Sequence, residues 1–380
     1  MSILVFSDVH LGIKTHSIYE SDGLTTAEHE AIKALEAVYE RATQPDIDML
    51  ICCGDIFHTT HPTSINVLYL ISWLNKIESL NKPFYFITGN HDSGIYSNSL
   101  IYTRELQLKN SALLDTLFPD ENSVWCIQWE NWDIYFIPFV ANISSKDTEG
   151  PVYNAIQKVV NYIKRPSMIV THVYDSEVVI GSEANMISRF VETLDFGELD
   201  RSDIILLLGH AHRQQMYKKR NGINVVYPGS LFYHDLNDCN QEKGYAIVSP
   251  DGTVSFESID NIRKFVYYKI SQEQDAVELI RNMRIRDNSH VFLLVESDSR
   301  IDESNLREVL KNKNCTLGDV RYKSPNLENA LSGIVVDRDN LQPVQLFKEH
   351  LKMLLEQKQE SDKFDRVVRT GISYLEKNSA

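Results

Sequence analysis

The chain has 380 residues, of which 43% are hydrophobic and 11 are proline. This composition excludes a disordered chain, and the length predicts two or three domains with a large core. The longest apolar stretches run about six residues, far below the roughly 20 that a membrane-spanning helix needs. The net charge of −15 by itself argues against a nucleic-acid binder, because Lys and Arg supply the affinity for phosphate.

The five cysteines include no CxxC pair, and Cys52 and Cys53 lie inside an apolar run. Their number and placement indicate buried, reduced thiols in a cytoplasmic protein rather than a disulfide framework. The chain begins directly with an apolar, strand-like run, so we expect no signal peptide.

Apolar periodicity in the first 88 residues predicts strands that alternate with helices and form a largely parallel sheet. Residues 26–42 carry apolar side chains at helical spacing, which predicts a first helix. Residues 64–80 predict a second helix, with Ser64 as its N-cap.

Segments further along the chain predict a second sheet. Residues 124–128 and 132–138 are expected to form a hairpin that turns near Glu130. The strand-like segments that we assign to the second sheet lie at 223–227, 244–249 and 253–259. The sequence therefore predicts an α/β fold in residues 1–261, a two-sheet sandwich flanked by helices.

The pattern restarts after residue 261. The segments there are a strand at 265–270, a helix at 273–284, a strand at 290–296, a helix at 302–313 and a strand at 316–322. This alternation predicts a small α+β unit over residues 262–323. We expect a linker over 324–343 and a pair of amphipathic helices within 344–380.

Five apolar, strand-like runs end in side chains that bind metals. Asp8 and His10 follow the first run, Asp55 the second, Asn90, His91 and Asp92 the third, His172 the fourth, and His210 and His212 the fifth. In open α/β sheets, ligands gather outside the carboxyl ends of the strands, so these five ends can surround one point. Two of these carboxylates, the amide and four of these imidazoles, meeting at that point, predict a pair of divalent cations.

The five motifs differ in specificity. Asp8 and His10 lie on the same side of an extended chain, but a D-x-H triplet alone says little. Gly-Asp after a strand is often a plain turn, and His172 alone would more often be a hydrogen-bonded core histidine. The GNHD run at 89–92 and the GHAH run at 209–212 are more specific. Because all five follow strands, in this order, we favour a metal centre over coincidence.

The order D-x-H, G-D, G-N-H-D, H and G-H-x-H resembles that of the calcineurin-like metallophosphoesterases. Within that superfamily the chain is most similar to the SbcD-type nucleases of the meiotic-recombination-nuclease family, which process DNA double-strand breaks. The segments that carry this resemblance are SDVHLG at 7–12, GDIFH at 54–58, GNHD at 89–92, LGHAH at 208–212 and YPGS at 227–230. The modest length and short tail resemble the phage-type members.

The resemblance implies a manganese-dependent DNA nuclease, an exonuclease on double-stranded ends and an endonuclease on single strands, in recombination, repair and replication. It implies DNA and an SbcC-type SMC-like ATPase as partners, the ATPase docked by the C-terminal helical pair, with a homodimer inside a heterotetramer. The unit at 262–323 would be a DNA-binding capping domain. A cytoplasmic, nucleoid-associated location is expected, or the host cytoplasm for a phage-encoded protein.

The resemblance also implies a role for each matched residue. One cation would be held by Asp8, His10 and His212, the other by Asn90, His172 and His210, with Asp55 bridging both. His91 would not be a ligand; it would stabilise charge on the scissile phosphate or protonate the leaving oxygen. Asp92 would either orient His91 or cap its loop, and His58 would either approach the phosphate or be a satisfied loop histidine.

Oxygen and nitrogen ligands without a thiolate favour Mn²⁺, with Fe²⁺ or Zn²⁺ as weaker candidates. Four imidazoles disfavour Mg²⁺, which is a harder cation. The resemblance likewise implies manganese as the ion that supports activity.

Several alternatives stay open from the sequence. The chain could be a stand-alone phosphodiesterase or phosphatase that acts on a small phosphoester, or an inactive scaffold, although no ligand position is missing. The basic clusters at Lys14 with His16 and at 218–220 either touch a polyanion or are ordinary surface. The stretch 16–26 lacks the arginine expected of a DNA contact. The C-terminal helices either dock a partner or pack onto their own domain.

Overall fold

A computed structural model describes residues 1–93, 97–100, 103, 106, 108–115, 120–141, 150–180, 191–199, 201–271, 275–296 and 301–322. In chain order its elements are β1 (Ser2–Phe6), α1 (Thr26–Ala42), β2 (Ile47–Cys52), α2 (Ser64–Ser79), β3 (Phe84–Phe86), β4 (Ser111–Leu113), β5 (Trp125–Trp129), β6 (Trp132–Phe136), α3 (Pro151–Tyr162), β7 (Ser167–His172), β8 (Tyr174–Asp175), β9 (Thr193–Leu194), β10 (Ile204–Gly209), β11 (Gln215–Lys218), β12 (Asn224–Tyr227), β13 (Gly244–Val248), β14 (Val254–Ser258), β15 (Lys264–Ile270), α4 (Ala276–Asn282), β16 (Ser289–Val295), α5 (Glu303–Lys311) and β17 (Thr316–Tyr322). None of the described helices is long and apolar enough to cross a membrane.

Two six-stranded sheets form a sandwich. The first has the strand order β14-β13-β1-β2-β3-β4, and the second has the order β11-β12-β10-β7-β6-β5. Strands β1 to β4 run parallel in the first sheet, as do β6, β7, β10 and β12 in the second. The predicted α/β fold with two sheets flanked by helices is confirmed. The hairpin β5–β6 is also confirmed, with Glu130 at its turn in a left-handed conformation.

Alternate side chains of the central strands serve two different cores. Ile3 and Val5 of β1 pack between the two sheets, whereas Leu4 and Phe6 pack against α1 and α2 on the outer face. On the far side of the second sheet, α3 covers a third core. Because the strands are buried on both faces, they are continuous apolar runs, which is why they are visible in the sequence.

Two predicted strands belong to a different sheet from the one expected. The segments at 244–249 and 253–259 were assigned to the second sheet, but β13 pairs with β1 and β14 with β13, both antiparallel. They therefore extend the first sheet at its β1 edge. Of the three segments assigned to the second sheet, only β12 lies there, parallel to β10. The assignment was wrong because an apolar strand contains no information about which exposed edge it will pair with.

Helices α1 and α2 confirm the two helical predictions. A capping box begins α1, in which the Thr25 hydroxyl accepts a hydrogen bond from the Glu28 amide and the Glu28 carboxylate accepts from the Thr25 amide. The prediction of Ser64 as the N-cap of α2 was wrong by one residue. Thr63 has the extended backbone of an N-cap, and its hydroxyl accepts from the Asn66 amide.

The small α+β unit consists of β15, β16 and β17 in a parallel sheet, with α4 and α5 as the crossover helices. Its alternation of strands and helices is as predicted, and its own apolar core includes Ile280, Leu293 and Leu306. The domain boundaries proposed at residues 261 and 323 stay predictions. The predicted linker at 324–343 and the helical pair within 344–380 lie outside the described residues.

Candidate metal centre

The centre lies where parallel strands of both sheets end. In the first sheet β1, β2 and β3 are neighbours, and in the second β7 and β10 are neighbours. The register places Phe6 beside Cys52 and His172 beside Gly209, so neighbouring strands end level with each other. The two sheets are stacked through a shared core, and the residues that follow all five ends are therefore brought to one edge of the sandwich.

The backbone at this edge adopts sparsely populated conformations. Asp8, His10, Asp55 and His210 have positive φ values of 53°, 46°, 55° and 90°. A left-handed conformation is uncommon for residues other than glycine and costs on the order of 1–3 kcal/mol, and such residues cluster at functional sites. Gly54 also has a positive φ, and a Cβ there would lie 2.7 Å from His172 Nδ1. The loops are thus bent and closely packed at the residues that carry the ligands.

Asp8, His10 and His212 meet on one side of the centre. The Nε2 atoms of His10 and His212 lie 3.0 Å apart, and Asp8 Oδ1 lies 3.9 Å from the first and 3.8 Å from the second. All three side chains are buried. This is the set that the family resemblance implied for one cation.

Asn90, His172 and His210 meet on the other side. His172 Nε2 lies 3.0 Å from Asn90 Oδ1, and the rings of His172 and His210 have centroids 5.1 Å apart. Asp55 lies between the two sets, with Oδ2 3.3 Å from His172 Nε2 and 3.6 Å from His10 Nε2. The structure thus brings all seven predicted ligands together and places the predicted bridging carboxylate between the two groups.

Two buried atoms test whether the residues fit bound cations. His210 Nε2 is inaccessible to solvent and makes no hydrogen bond with any described residue; Asp55 Oδ2 is equally buried and faces His172 Nε2 at 3.3 Å and His10 Nε2 at 3.6 Å without hydrogen-bond geometry. A buried polar atom without a partner is costly, and a metal ion is one of the few groups that can satisfy it. Ligand atoms of Asp8, His10 and Asp55, and those of Asp55, His172 and His210, lie within 4.8 Å of one another. The residues therefore fit divalent metal ions.

The carboxylates of the centre have opposite pKa shifts. Burial raises the pKa of Asp8 to about 7, and the nearby Asp55 carboxylate adds to the shift. Burial also acts to raise the pKa of Asp55, but His172 and His91 outweigh it and hold that pKa well below its ordinary range. Asp55 is therefore ionised near neutral pH and supplies negative charge between the two ligand sets.

The imidazoles are shifted as well. Burial holds the pKa values of His10, His210 and His212 well below the ordinary value. These rings are therefore neutral near pH 7, which is the state that binds metals. Burial also acts to lower the pKa of His172, but the Asp55 carboxylate outweighs it and raises that pKa to about 9. Without a cation, His172 is the imidazolium that balances Asp55.

Backbone groups orient two of the ligands. His172 Nδ1 lies 2.8 Å from the Cys53 carbonyl oxygen, so in the neutral ring Nδ1–H donates to that carbonyl and Nε2 keeps its lone pair for a metal. The His210 amide donates to both oxygens of Asp8, at 3.2 and 3.1 Å. These contacts hold the ligands in place independently of a bound ion.

His91 and His58 lie at the rim of the centre, and both are partly exposed. Their rings stack with centroids 5.1 Å apart, and the His91 ring lies 4.7 Å from that of His10. His91 Nδ1 is 2.8 Å from the His58 carbonyl oxygen, and His58 Nδ1 is 3.2 Å from His10 Nδ1. The structure therefore places His91 beside the ligands and gives His58 a direct contact with one of them.

Asp92 does not contact the His91 ring through any hydrogen bond of the described structure. Its buried carboxylate accepts hydrogen bonds from the amides of Phe57 at 2.7 Å, Ile56 at 3.1 Å and Gly89 at 3.1 Å. These bonds tie the loop after β2 to the loop after β3. They match the loop-capping alternative for Asp92, whereas the Nδ1 of His91 is oriented by the carbonyl of His58.

The sequence analysis did not identify His234. This residue is buried beside the His10 and His212 rings, with centroid separations of 4.8 and 4.6 Å, and its Nδ1 lies 3.1 Å from His212 Nδ1. The available signal was a histidine in the loop after β12, shortly after the YPGS segment. It was missed because His234 does not immediately follow an apolar strand of the kind that precedes the other ligands.

The basic cluster at 218–220 is not a uniform cationic surface. Lys219 is buried, with Nζ 3.1 Å from Asp175, 2.7 Å from Glu177 and 3.1 Å from Asp195. Its charge is neutralised by these carboxylates, so Lys219 is not available to a polyanion. Lys14 in the other cluster is exposed, and its Nζ lies 3.2 Å from the Tyr19 hydroxyl.

Comparison with known proteins agrees with this geometry. The calcineurin-like phosphoesterase family matches residues 1–229, and the chain belongs to that family. The chain is therefore a metallophosphoesterase, a hydrolase of phosphate esters, as the sequence resemblance implied. It is 24% identical over 358 residues to the DNA double-strand break repair protein Mre11 of Archaeoglobus fulgidus, an alignment that covers 88% of this chain and 75% of that protein. This similarity agrees with the SbcD-type assignment.

Two solved structures are also similar. A protein of Thermus thermophilus has a TM-score of 0.43 and 11% identity, covering 68% of this chain and 99% of that one. A dimetal phosphatase of Danio rerio has a TM-score of 0.41 and 9% identity, covering 65% of this chain and 91% of that one.

Proposed function

We propose that the chain is a two-metal DNA nuclease subunit that depends on manganese, an exonuclease on double-stranded ends and an endonuclease on single strands. It would act in DNA end processing, recombination, repair and replication. The observation that carries the proposal is the position of Asp55 between two sets of three ligand side chains. Two cations that share one carboxylate are the arrangement that two-metal phosphodiesterases use.

The residues that would hold the cations are Asp8, His10 and His212 for one, Asn90, His172 and His210 for the other, and Asp55 for both. When bound, such a pair draws charge from the phosphate oxygens and makes water a usable nucleophile near neutral pH. The Cys53 carbonyl that holds the His172 ring and the His210 amide that donates to Asp8 keep these two ligands in place before substrate binds, so little reorganisation is needed.

His91 would act on the substrate rather than on the metals. The His58 carbonyl oxygen accepts from Nδ1 of His91, so Nδ1 keeps its hydrogen and Nε2 is the atom that can hold or release a proton. A proton on Nε2 would stabilise charge on the phosphate or pass to the leaving 3′ oxygen, a contribution of about 10²–10⁴-fold. The position of His91 beside His10 supports this role.

The choice of manganese is supported by the ligand atoms. They are carboxylate and amide oxygens and imidazole nitrogens, a set that suits Mn²⁺ better than the softer or harder alternatives. Cys53 contacts His172 through its backbone carbonyl, and burial raises the pKa of its thiol well above the ordinary value, so that the thiol is not in the thiolate form that binds metals. Fe²⁺ and Zn²⁺ are weaker candidates.

DNA as the substrate is supported by a cavity beside the small α+β unit. It has a volume of about 620 Å³, and its described lining contains the cations Arg263, Arg307 and Lys311 but no Asp or Glu. Nε of Arg263 is buried and makes no hydrogen bond with the described residues. A cationic cavity on a chain with a net charge of −15 favours a phosphate-rich ligand over a small phosphoester.

The proposed partners are an SbcC-type SMC-like ATPase and a second copy of this chain. The ATPase would dock on the helices predicted within residues 344–380, and two copies would form a heterotetramer with it. The proposed location is the cytoplasm, in association with the nucleoid, or the host cytoplasm if a phage carries the gene. There the protein would encounter both DNA and the ATPase.

A nuclease assay of the full chain with Mn²⁺ tests the proposal. We expect shortening of blunt duplex DNA and cutting of circular single-stranded DNA, both abolished by EDTA and by Asp55→Asn. Hydrolysis of a small phosphodiester without cleavage of either DNA would instead support the alternative of a stand-alone phosphodiesterase or phosphatase. Inactivity on all three substrates in the presence of Mn²⁺ would contradict both functions.

A further inference from the structure

The ring of His234 makes its one hydrogen bond to the described residues with a predicted metal ligand. Its Nδ1 lies 3.1 Å from His212 Nδ1, while its Nε2 is buried and has no partner among those residues. Phe232, two residues earlier, packs against the His234 ring with centroids 4.6 Å apart. An apolar ring at 234 would avoid the cost of burying Nε2, so packing alone does not explain an imidazole here.

A buried ion pair holds the loop that carries His234. Lys243 Nζ lies 2.8 Å from Asp238 Oδ1, and both side chains are fully buried. Asp238 Oδ2 accepts a hydrogen bond from the His234 amide at 2.8 Å, and Lys243 Nζ donates to the His212 carbonyl at 2.9 Å. The backbone segments of His212 and His234 are thus joined through a single buried pair, which sets the distance between their rings.

The hydrogen on each ring nitrogen follows from metal binding. His212 Nε2 faces His10 Nε2 in the centre, so a cation there takes the Nε2 lone pair. A neutral imidazole that binds a metal through Nε2 carries its hydrogen on Nδ1. His212 Nδ1–H must then donate, and His234 Nδ1 must accept. His172 has the corresponding contact with a backbone carbonyl, which is the more usual partner of a metal-binding histidine.

We propose that His234 is a positioning residue, whose Nδ1 accepts the hydrogen bond from His212 Nδ1 and thereby fixes the tautomer and ring orientation of this ligand. The inference rests on the proposed two-cation centre and deepens it. His234 acts through His212 and does not itself bind the cation. Its loss weakens binding of the cation held by Asp8, His10 and His212 and leaves the other cation unaffected.

Calorimetric titration of the metal-free full chain with Mn²⁺ tests this, using His234→Phe and His234→Asn as a matched pair. Phenylalanine preserves the ring but removes the acceptor, whereas asparagine places an oxygen near the position of Nδ1. We expect His234→Phe to lower the affinity for one of the two Mn²⁺ ions by about 10–100-fold, which is the range for loss of such a hydrogen-bond partner. His234→Asn should retain most of that affinity. Thermal unfolding of the metal-free variants compares their folds.

Three results would overturn the inference. His234→Phe could bind both ions with wild-type affinity, the two variants could lose the same amount of affinity, or His234→Phe could lose affinity for both ions to the same extent. If His234→Phe does not fold, ¹⁵N NMR of histidine in the Zn²⁺-loaded wild-type protein decides the question. A hydrogen on His234 Nδ1 contradicts the inference, and one on His212 Nδ1 with a bare His234 Nδ1 supports it. Wild-type protein that binds no Mn²⁺ would overturn the proposed function itself, together with this inference.

Discussion

His10 Nε2 and His212 Nε2 lie 3.0 Å apart although 202 residues separate them in the chain. Both rings are buried, and burial keeps the pKa of each well below its ordinary value. Two neutral imidazoles can form at most one hydrogen bond across this gap, and Asp8 faces both nitrogens. Three ligand atoms that converge in this way fit one divalent cation.

Replacing His91 by asparagine separates chemistry from metal binding. His91→Asn should leave two Mn²⁺ per chain and lower the rate of DNA cleavage by about 10²–10⁴-fold, because the group that holds the proton is lost. Elemental analysis and a single-turnover cleavage assay measure the two quantities. His212→Ala is the control for a lost ligand and should reduce the metal content. A similar loss of metal in His91→Asn would mean that His91 is a ligand.

Replacing Asp92 by asparagine tests the loop-capping role. The Asp92 carboxylate accepts three backbone N–H groups, and an amide NH₂ at one of its oxygen positions would face a donor. A buried donor left without an acceptor costs about 1–3 kcal/mol, so the free energy of unfolding in urea should fall by about that amount. Asp251→Asn is the matched control, because Asp251 is exposed and accepts one hydrogen bond from the Thr253 amide. Equal, small effects of the two substitutions would contradict the capping role.

Manganese affinity should rise with pH between about 6 and 9. A cation requires Asp8 to be ionised and His172 to be neutral, but burial raises the pKa of Asp8 to about 7 and Asp55 raises that of His172 to about 9. Below each pKa the metal-free protein holds a proton that the cation must displace. Each such proton lowers the apparent affinity for Mn²⁺ by up to about tenfold for every pH unit below the pKa of its group.

Calorimetry in two buffers of different ionisation enthalpy measures this proton release. The release should be largest below pH 7, where both groups hold protons, and should vanish above about pH 9. Binding that is independent of pH, without release of protons, would contradict the raised pKa values of Asp8 and His172.

The cationic cavity should contribute to DNA binding by pairing with phosphates. Removing one side chain that pairs with a phosphate reduces the slope of log affinity against log salt by about 0.7–0.9, so Arg307→Ala with Lys311→Ala should reduce it by about 1.4–1.8. Hydrolysis of a small phosphodiester should be unchanged. The control is Lys76→Ala with Lys158→Ala, which removes the same charge from one exposed and one half-buried lysine outside the cavity. Equal slopes for the two double variants would exclude the cavity from the DNA site.

Deleting residues 343–380 tests the proposed partner. The truncated chain should hydrolyse a small phosphodiester with Mn²⁺ as the full chain is expected to, because every predicted ligand of the centre lies before residue 213. It should no longer co-purify with an SMC-like ATPase that binds the full chain. Retained co-purification would place the docking surface elsewhere, and an unfolded truncated chain would favour helices that pack onto their own domain.

Local pattern was a good guide to the elements. The strands before Asp8, Asp55 and His172 are apolar along most of their length because both of their faces are buried, so each is visible without knowledge of its neighbours. Helix α1 is marked by its periodicity and by the Thr25–Glu28 capping box. The pairing of strands, by contrast, is not visible in the local sequence. The strand β13 was assigned to the wrong sheet because its partner, β1, lies more than 200 residues away in the chain, and neither strand encodes the other.

The seven candidate metal ligands were predicted from the amino-acid sequence, because they follow apolar strands that end at a common edge and because their motifs resemble those of the metallophosphoesterases. Only the tertiary structure showed that His234 contacts His212, that Asp92 binds three amides of two loops, and that Lys219 is neutralised by neighbouring carboxylates. The physical reason is that a ligand position depends on where its own strand ends, which is a local property. The partner of a side chain depends on how the two sheets and their loops pack against each other. The packing of the whole core sets the distance between them.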